Sequence, residues 1–247
     1  MKQNFLPLIL ILFVLGGCKK DNREPPQSTL TGAVLIEGTK TPVGVASNGT
    51  QLELWQYGYA LRNKIAVHID QDGTFSAKLF DGNYKLVRLG GAPWAAQTDT
   101  INIDLNGSAN IEVPVKPFFT VGGDTYTYSA VDTSLTAVFS VGRVDATKVA
   151  DRVSFSIGLT NFVDAQTNQI PIPAATNDKA PAANYLTVPT TIKIPLNPNR
   201  YTGTSNAELR RQLTLALQKG YLYGRAGVRT TGITQRLYTQ VKEIALK

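Results

Sequence analysis

Apolar and polar residues alternate along several short segments in the first half of the chain. In the segment 51–56, Leu52 and Leu54 fall on one face, while Glu53 and Trp55 fall on the other. Successive side chains of a strand point to opposite faces, so this alternation predicts a strand with one buried face. Six more segments with strand patterns are residues 30–36, 65–69, 74–80, 84–89, 100–105 and 109–115. Seven short strands at this spacing predict a β-sandwich.

Short turn sequences separate these segments. Asp72-Gly73 follows one predicted strand and directly precedes the next. Because Asp-Gly tolerates the positive φ angles of a type I′ turn, the sequence predicts a hairpin here. Residues 81–83 and the pair Asn106-Gly107 have the same turn character, as Asn, Asp and Gly are the residues that favour turns.

Strand patterns continue in the second half of the chain, at residues 133–141, 152–159, 185–195, 221–230 and 236–244. Thr231-Gly232 separates the last two segments, which predicts a hairpin. The order of residues 213–217, Gly220, Tyr221 and a following strand resembles the E–F corner of fibronectin-III and immunoglobulin-like sandwiches. In that corner a tyrosine hydroxyl bonds to the backbone. The resemblance implies a second sandwich, with Gly220 and Tyr221 at its corner.

Two stretches of the second half lack a strand pattern. Residues 165–184 are rich in Pro and Asn, which is typical of a long surface loop. Ser205, followed three residues later by Glu208, fits the capping box at the N-terminus of a helix. The pattern leaves open whether this helix forms.

The N-terminus has the three parts of a bacterial lipoprotein signal. Lys2 precedes an apolar run at residues 5–15 that is short for a membrane-spanning helix. Residues 15–18, Leu-Gly-Gly-Cys, resemble a lipobox, in which signal peptidase II cuts before a cysteine whose thiol carries diacylglycerol. Acyl chains contribute about 0.8 kcal/mol per buried CH₂, so we expect Cys18 to be a stable lipid anchor. The alternative is an ordinary secretory signal with an unrelated cysteine.

The segment after Cys18 is polar and contains two prolines, which predicts a flexible tether. Lys20-Asp21 partly resembles the surface-export signal of Bacteroidetes lipoproteins, in which two adjacent acids are typical. We therefore expect the chain to face outwards from the outer membrane. The expected organisation is a signal peptide, a tether, a first β-sandwich and an immunoglobulin-like sandwich, at residues 1–17, 18–28, 29–116 and 117–247.

The composition limits the partners, metal sites and catalytic groups that the chain can have. The net charge is +7 and the basic residues are scattered along the chain, so a nucleic-acid partner is not expected. With one Cys and one His, the chain is short of ligands for a usual zinc or iron site, and no cofactor or metal is expected. A catalytic triad could be built only around His68. Asp70-x-Asp72-Gly73 resembles half of a calcium loop but lacks the remaining ligands, so a turn is the better interpretation.

Aromatic residues are the strongest binding candidates. Trp55, Tyr57 and Tyr59 share one parity, opposite to that of the apolar leucines of the same strand. Trp94 follows the loop at residues 90–93. Exposed rings offer flat apolar platforms for a sugar or a peptide side chain, and they mark interfaces in general. The alternative is that these rings fill the core or the seam between the two sandwiches.

Several motifs resemble known families. Residues 73–75 and 79–84 resemble the Gly-x-Phe and Gly-x-Tyr core of prealbumin-like, carboxypeptidase-regulatory-type sandwiches. A closer resemblance, to Bacteroidetes lipoproteins of domain-of-unknown-function family 3823, rests on five motifs in the family's order: residues 54–59, 72–75, 79–85, 91–94 and 113–119. Gly91-Ala-Pro-Trp94 departs from that family, which more often has Gly-Pro followed directly by an aromatic residue. The resemblance implies a gene neighbourhood with SusC- and SusD-type transporters, which import glycans or peptides.

Two functions remain open from the sequence. The leading hypothesis is a non-catalytic lipoprotein that assists a SusC/SusD-type uptake complex by weak binding of glycan or peptide, or by docking onto the transporter. The alternative is a purely structural spacer, which burial of Trp55, Tyr57 and Trp94 would favour. An enzyme such as a glycoside hydrolase is not expected, because no local motif indicates the paired carboxylates that it needs.

Overall fold

The computed structural model describes residues 24–47, 49–58, 63–167 and 169–247. Within these ranges the chain consists mainly of β-strands, which form two sandwiches in tandem and confirm the predicted all-β fold. Cys18 and Tyr59 lie outside the described residues. In the part of the chain that the structure covers, no helix is both long and apolar enough to cross a bilayer.

The first sandwich contains the seven strands that the alternation predicts. Its described strands are β1 (Ser28–Ile36), β2 (Gln51–Gln56), β3 (Lys64–His68), β4 (Thr74–Leu79), β5 (Gly82–Arg88), β6 (Ile101–Leu105) and β7 (Ser108–Val115). Strands β4, β1 and β7 form a three-stranded sheet, in which β1 pairs antiparallel with β4 and parallel with β7. Strands β3, β2, β5 and β6 form a four-stranded antiparallel sheet.

Alternate residues of these strands supply the core between the two sheets. Leu52 and Leu54 of β2 are completely buried. On β1, Gly32 pairs with Phe75 of β4, and a Cβ at Gly32 would lie 2.5 Å from Cζ of the Phe75 ring. The phenyl ring therefore packs over a position that has no side chain, which is why glycine is needed there.

Asp72-Gly73 forms a tight turn, but the predicted hairpin is wrong. Gly73 has a φ of +89°, and the Asp72 carboxylate accepts hydrogen bonds from the Thr74 backbone N–H (3.0 Å) and hydroxyl (2.7 Å). However, β3 pairs with β2 in one sheet, whereas β4 pairs with β1 in the other. The turn therefore leads the chain from the four-stranded to the three-stranded sheet. Both adjacent strands bury their apolar residues between these two sheets.

The described part of the second sandwich has two sheets, two α-helices and two short 3-10 helices, Pro198–Arg200 and Thr204–Asn206. Its described elements are β8 (Phe119–Ser129), β9 (Ser134–Arg143), β10 (Ala150–Gly158), α1 (Ala174–Asn177), β11 (Asp178–Lys179), β12 (Thr190–Pro195), α2 (Ala207–Lys219), β13 (Tyr221–Thr230), β14 (Arg236–Tyr238) and β15 (Lys242–Ala245). Strands β12, β9 and β8 form one sheet. The other has the order β11, β10 and β13, and β13 pairs with β14 and β15 at its two ends.

The open question about a helix is resolved by α2. Leu209, Leu213 and Ala216 are its buried residues, spaced so that they share one face. Asn206 is the N-cap, so the predicted cap at Ser205 is wrong. Gly220 ends the helix with a φ of +75°, a left-handed conformation that glycine adopts without a steric penalty.

The predicted E–F corner is therefore not formed. Residues 213–217 belong to α2 and not to a strand, and Tyr221 begins β13 directly after the C-cap of the helix. The Tyr221 ring packs edge to face against Tyr223, with centroids 5.8 Å apart. A helix thus occupies the position that the immunoglobulin-like pattern assigns to strand E.

The predicted surface loop at 165–184 is only partly exposed. It includes α1 and β11, and it buries Ile170, Ile172 and Asn177. The Ile170 N–H donates to the Ile157 carbonyl at 2.7 Å, which ties the loop to β10. The segment therefore covers the sheet instead of extending into solvent.

The two sandwiches contact each other around Arg225 of β13. Its side chain is completely buried, and its guanidinium donates hydrogen bonds to the carbonyls of Val45 (2.7 Å) and Gln71 (3.2 Å) in the first sandwich. The guanidinium carbon lies 4.0 Å from the centroid of the Tyr238 ring, and a guanidinium nitrogen lies 4.0 Å from the Asp164 carboxylate. Burial lowers the pKa of Arg225. Polar as well as apolar contacts therefore join the two sandwiches.

Candidate functional site: an aromatic face on the four-stranded sheet

The outer surface of the four-stranded sheet presents two aromatic side chains. Leu52 and Leu54 turn into the core, so alternation places Trp55 on the opposite surface. The same parity extends past the end of β2 to Tyr57, whose backbone N–H donates to the Asn83 carbonyl at 3.0 Å. Trp55 is partly buried and Tyr57 is 37% exposed. We call this surface, formed by Glu53, Trp55, Tyr57, Lys64 and Lys85, the aromatic face.

Two lysines flank the rings. Trp55 pairs across the sheet with Lys64 of β3 on one side and with Lys85 of β5 on the other. The Lys85 ammonium lies 4.8 Å from the centroid of the Tyr57 ring, which is within the range of a cation–π contact. The Lys64 ammonium forms an ion pair with Glu53 at 3.0 Å. These contacts restrain the side chains around the rings.

Polar side chains continue the aromatic face towards the edge strand β6. Lys85 pairs with Asn102, and Asn83 pairs with Asp104, all on the outer surface of the sheet. The amides can donate hydrogen bonds to hydroxyl groups and accept them, and the carboxylate can accept them. The rings offer apolar area. A flat surface of this composition can bind a sugar or peptide by stacking and hydrogen bonding.

The structure corrects the expectation for Trp94. This residue is only 1% exposed and belongs to the hydrophobic core, so its ring cannot serve as an exposed platform. Trp94 pairs with Pro117 through an isolated β-bridge, and Phe118 donates a backbone hydrogen bond to Pro93 at 3.1 Å. The ring is therefore buried in the core, beside the segment that links the two sandwiches, and burial is the alternative that the sequence left open. Of the four aromatic candidates, the structure brings Trp55 and Tyr57 together.

His68 and the turn at Asp72-Gly73 make contacts that are typical of structural residues. His68 is exposed on the outer surface of β3, and its Nδ1 lies 3.5 Å from Nε2 of Gln51. Asp72 caps the turn described above. Over the described ranges, no group of three or more His, Cys, Asp or Glu side chains is placed to hold a metal ion.

Carboxyl and tyrosine groups with shifted pKa values lie away from the aromatic face. Hydrogen bonds from the Ser28 hydroxyl and the Gly107 backbone N–H lower the pKa of Asp81. Burial raises the pKa of Tyr126 and of Tyr238. Three further carboxyls have lowered pKa values because each accepts hydrogen bonds from a neighbour: Asp132 from Lys193, Asp145 from Thr147 and Glu208 from Arg211. Hydrogen bonding and burial within the fold explain these shifts.

Sequence reasoning missed the role of Arg225. The sequence feature that comes closest to indicating this role is the set of small residues around Arg225, which are Gly224, Ala226 and Gly227. A Cβ at Gly227 would lie 2.6 Å from the Tyr238 ring, so the small residue lets the tyrosine approach the sheet. Small neighbours are common in strands, however, and they do not by themselves predict which surface covers the arginine.

Comparison with known proteins shows the same two-domain organisation. The family model for the DUF3823 N-terminal domain, a protein of unknown function, matches residues 28–116, and that for the DUF3823 C-terminal domain, a domain of unknown function, matches residues 124–243. No curated protein matches the chain.

Solved structures match over most of the chain. A DUF3823 family protein from Bacteroides ovatus ATCC 8483 is 30% identical, with a TM-score of 0.71 over 89% of this chain and 100% of its own. One from Parabacteroides merdae ATCC 43184 is 25% identical, with a TM-score of 0.72 over 90% of this chain and 100% of its own. A candidate carbohydrate binding protein from Bacteroides uniformis ATCC 8492 shares the fold at 16% identity, with a TM-score of 0.68 over 90% of this chain and 100% of its own. Since the matches include both sandwiches, the chain belongs to the DUF3823 family.

Proposed function

We propose that the protein is a non-catalytic, carbohydrate-binding lipoprotein that assists a nutrient-uptake complex of the outer membrane. The observation that carries the proposal is the aromatic face, where Trp55 and Tyr57 lie on one accessible surface of a sheet. The rest of the proposal concerns the ligand, the anchor and the partner, each of which has its own support.

A neutral carbohydrate suits the aromatic face because its two kinds of group match those of a sugar. The C–H surface of a sugar ring can stack on Trp55 or Tyr57, while its hydroxyls bond to the polar side chains beside them, such as Asn83 and Asn102. Aromatic pairs contribute about 0.5–1.5 kcal/mol beyond their buried area, and we expect a ring stacked on a sugar to contribute on that order. Two such contacts fit weak binding.

One of the proteins that share the fold is associated with the same ligand class. The Bacteroides uniformis protein with this fold is described as a candidate carbohydrate binding protein. At 16% identity the likeness concerns the fold alone, so the aromatic face of this chain, and not the relative, is the basis for assigning a ligand.

A glycan panel with ring-deletion variants tests the ligand. Trp55→Ala and Tyr57→Ala should each weaken binding of immobilised neutral oligosaccharides at least severalfold, because each removes one stacking platform. Phe162→Ala is the matched control, since Phe162 is 42% exposed but belongs to a loop of the second sandwich. Equal retention of all three variants and the wild type on every glycan that binds would refute the assignment of the aromatic face.

The lipid anchor and the transporter partner are separate parts of the proposal. The sequence Leu15-Gly16-Gly17-Cys18 supports acylation of the thiol, and the export-like Lys20-Asp21 supports the outer surface of the outer membrane. Cys18→Ser should move the protein from the membrane to the soluble fraction, and mass spectrometry should find acyl chains on the wild-type peptide. Pull-down from solubilised outer membranes should recover a SusC- or SusD-type protein.

A structural spacer is the second candidate function. It is favoured by the burial of Trp94 at the junction and by the buried Arg225 that joins the two sandwiches. A spacer needs a firm connection between its domains but no ligand. If the wild type binds no glycan in the panel and still copurifies with a membrane partner, the spacer is the better description.

A further inference from the structure

A crevice of about 330 Å³ lies between the two sandwiches, beside the start of β2. The first sandwich contributes residues 49–51 and 89–92 to its walls, and the second contributes Thr234 and Gln235. Small-molecule sites occupy about 300–1,000 Å³, whereas a water molecule occupies roughly 30 Å³. The crevice is therefore large enough for a small organic group and is not the site of a single structural water.

The lining residues favour an uncharged ligand that carries hydroxyl groups. Four of the side chains are hydroxyls or amides, at Thr50, Gln51, Thr234 and Gln235, and no charged side chain lines the crevice within the described residues. Such groups both donate and accept hydrogen bonds, as a sugar hydroxyl does. Three glycines and two apolar residues, Leu89 and Ala92, form the rest of the wall, so a ring can approach the backbone closely at the glycines.

Two polar atoms in this wall lack a partner. Thr50 is 4% exposed, and its Oγ1 and the Oε1 of Gln235 are buried without a hydrogen bond to any described residue. Buried polar groups in native proteins are nearly always hydrogen-bonded, so unpaired ones need an explanation. Both side chains rotate about single bonds, so a hydroxyl that enters the crevice can satisfy them without movement of the backbone.

The crevice lies in line with the aromatic face. Gln51 lines the crevice, and Trp55 is four residues further along the same strand with the same outward parity. At about 3.3 Å per residue, these two positions are roughly 13 Å apart. An extended ligand can therefore lie along β2 and reach both.

We propose that the interdomain crevice is a subsite for one uncharged sugar unit of a linear glycan whose other units lie on the aromatic face. This inference rests on the proposed function and adds that the ligand is a neutral oligosaccharide long enough to span both places. Thr50 and Gln235 are its hydrogen-bonding residues.

Calorimetric titration of the full mature protein with neutral xylo-, gluco- and manno-oligosaccharides of two and six units tests the proposal. Thr50→Val and Gln235→Met should weaken binding of the six-unit ligand about tenfold, which corresponds to about 1.4 kcal/mol. They should leave binding of the two-unit ligand unchanged. Their melting temperatures should equal or exceed that of the wild type, because each change removes an unpaired polar atom. Ser156→Ala is the control, since its hydroxyl is also buried without a partner but lies outside the crevice.

The outcomes separate the two proposals. If Trp55→Ala loses binding while Thr50→Val and Gln235→Met bind the six-unit ligand as the wild type does, the subsite is wrong and the proposed function stands. If the wild type binds no oligosaccharide, both are wrong. A fall in melting temperature that parallels the loss of binding would assign Thr50 and Gln235 a structural role and overturn the subsite.

Discussion

Replacement of Arg225 by methionine tests whether one buried side chain joins the two sandwiches. The variant keeps most of the side-chain length but removes the guanidinium, which is the donor to the carbonyls of Val45 and Gln71. The neighbouring Asp164 carboxylate retains its other partners, among them the backbone N–H of Thr167 at 2.7 Å. The loss therefore falls mainly on the first sandwich, where the Val45 carbonyl loses its Arg225 donor, while the Gln71 carbonyl keeps the Val45 backbone N–H at 3.2 Å.

The expected loss follows from the chemistry of these contacts. A hydrogen bond that involves a charged group contributes about 1.5–3 kcal/mol, and Arg225 makes two. Its stacking on Tyr238 is a desolvated cation–π contact, which adds up to about 2 kcal/mol. Methionine recovers part of this through apolar packing, so we expect a net loss of about 3–5 kcal/mol, the range for removing one partner of a buried charged contact.

Urea unfolding followed by far-UV circular dichroism, which reports on both sandwiches, measures this loss, while tryptophan fluorescence follows the first sandwich, which contains both Trp55 and Trp94. For Arg225→Met, the midpoint should fall, and the single transition should broaden or divide as the sandwiches unfold separately. Arg229→Met is the matched control on the same strand, since Arg229 is part-exposed and pairs with Asp151 at 2.8 Å. Exposed ion pairs contribute about 0–1 kcal/mol. Equal losses for the two variants would refute the interdomain role of Arg225.

Three further changes test other parts of the fold. Gly44→Ala should cost about 1–3 kcal/mol in thermal unfolding, because its Cβ would lie 2.3 Å from the Tyr238 carbonyl oxygen. Gly122→Ala is the control and should be nearly neutral, since the space around Gly122 is open. Equal effects of the two changes would contradict the close approach at Gly44. Hydrogen bonds from the arginine one turn later lower the pKa of Glu208 to about 2, so its contribution to stability is present above its ordinary pKa of 4.5 and is lost as the pH falls through 2. The stability difference between the wild type and Glu208→Gln should accordingly be constant from pH 7 to 5 and shrink below that, and a difference that grew on acidification would have the wrong sign. Trp94→Ala should cost about 3–5 kcal/mol in urea unfolding, and a loss below about 1 kcal/mol would show that the ring is not part of the core.

Local chemistry was sufficient to predict most of the first sandwich. Period-two alternation located all seven of its described strands to within one or two residues. The conformation of Asp72-Gly73 was also predictable, because the requirement for positive φ and the carboxylate cap lie within three residues. Which sheet each strand joins was not, since a turn of this kind is compatible both with a hairpin and with a crossing between two sheets.

Residues 213–217 show where a local pattern misleads. Leu213, Leu215 and Leu217 alternate as in a strand, and the glycine and tyrosine that follow fit a sandwich corner. The helical spacing of Leu209, Leu213 and Ala216 competes with that pattern. Burial of this second set against the sandwich decides the outcome, because tertiary packing stabilises a helix more than intrinsic propensity does.

The same difference between local pattern and tertiary packing applies to the aromatic candidates. Parity within β2 correctly placed Trp55 opposite the buried leucines, because the direction of a strand side chain is a local property. Nothing local distinguishes the exposed Tyr57 from the buried Trp94, since both follow polar or glycine-rich sequence. Their exposure depends on which other segments pack against each ring, as the segment around Pro117 packs beside Trp94.

The sequence by itself thus determined the strands and the tight turns of the first sandwich and the outward direction of Trp55, because each depends on a few consecutive residues. Tertiary structure alone decided the burial of Arg225 and Trp94, the membership of each sheet and the crevice at Thr50 and Gln235. These features arise where segments that are not neighbours in the chain meet, and the most distant example is Arg225, which meets Val45 180 residues away. A contact of that kind leaves no periodic or compositional signal in either segment, so its position emerges only when the two sandwiches pack together.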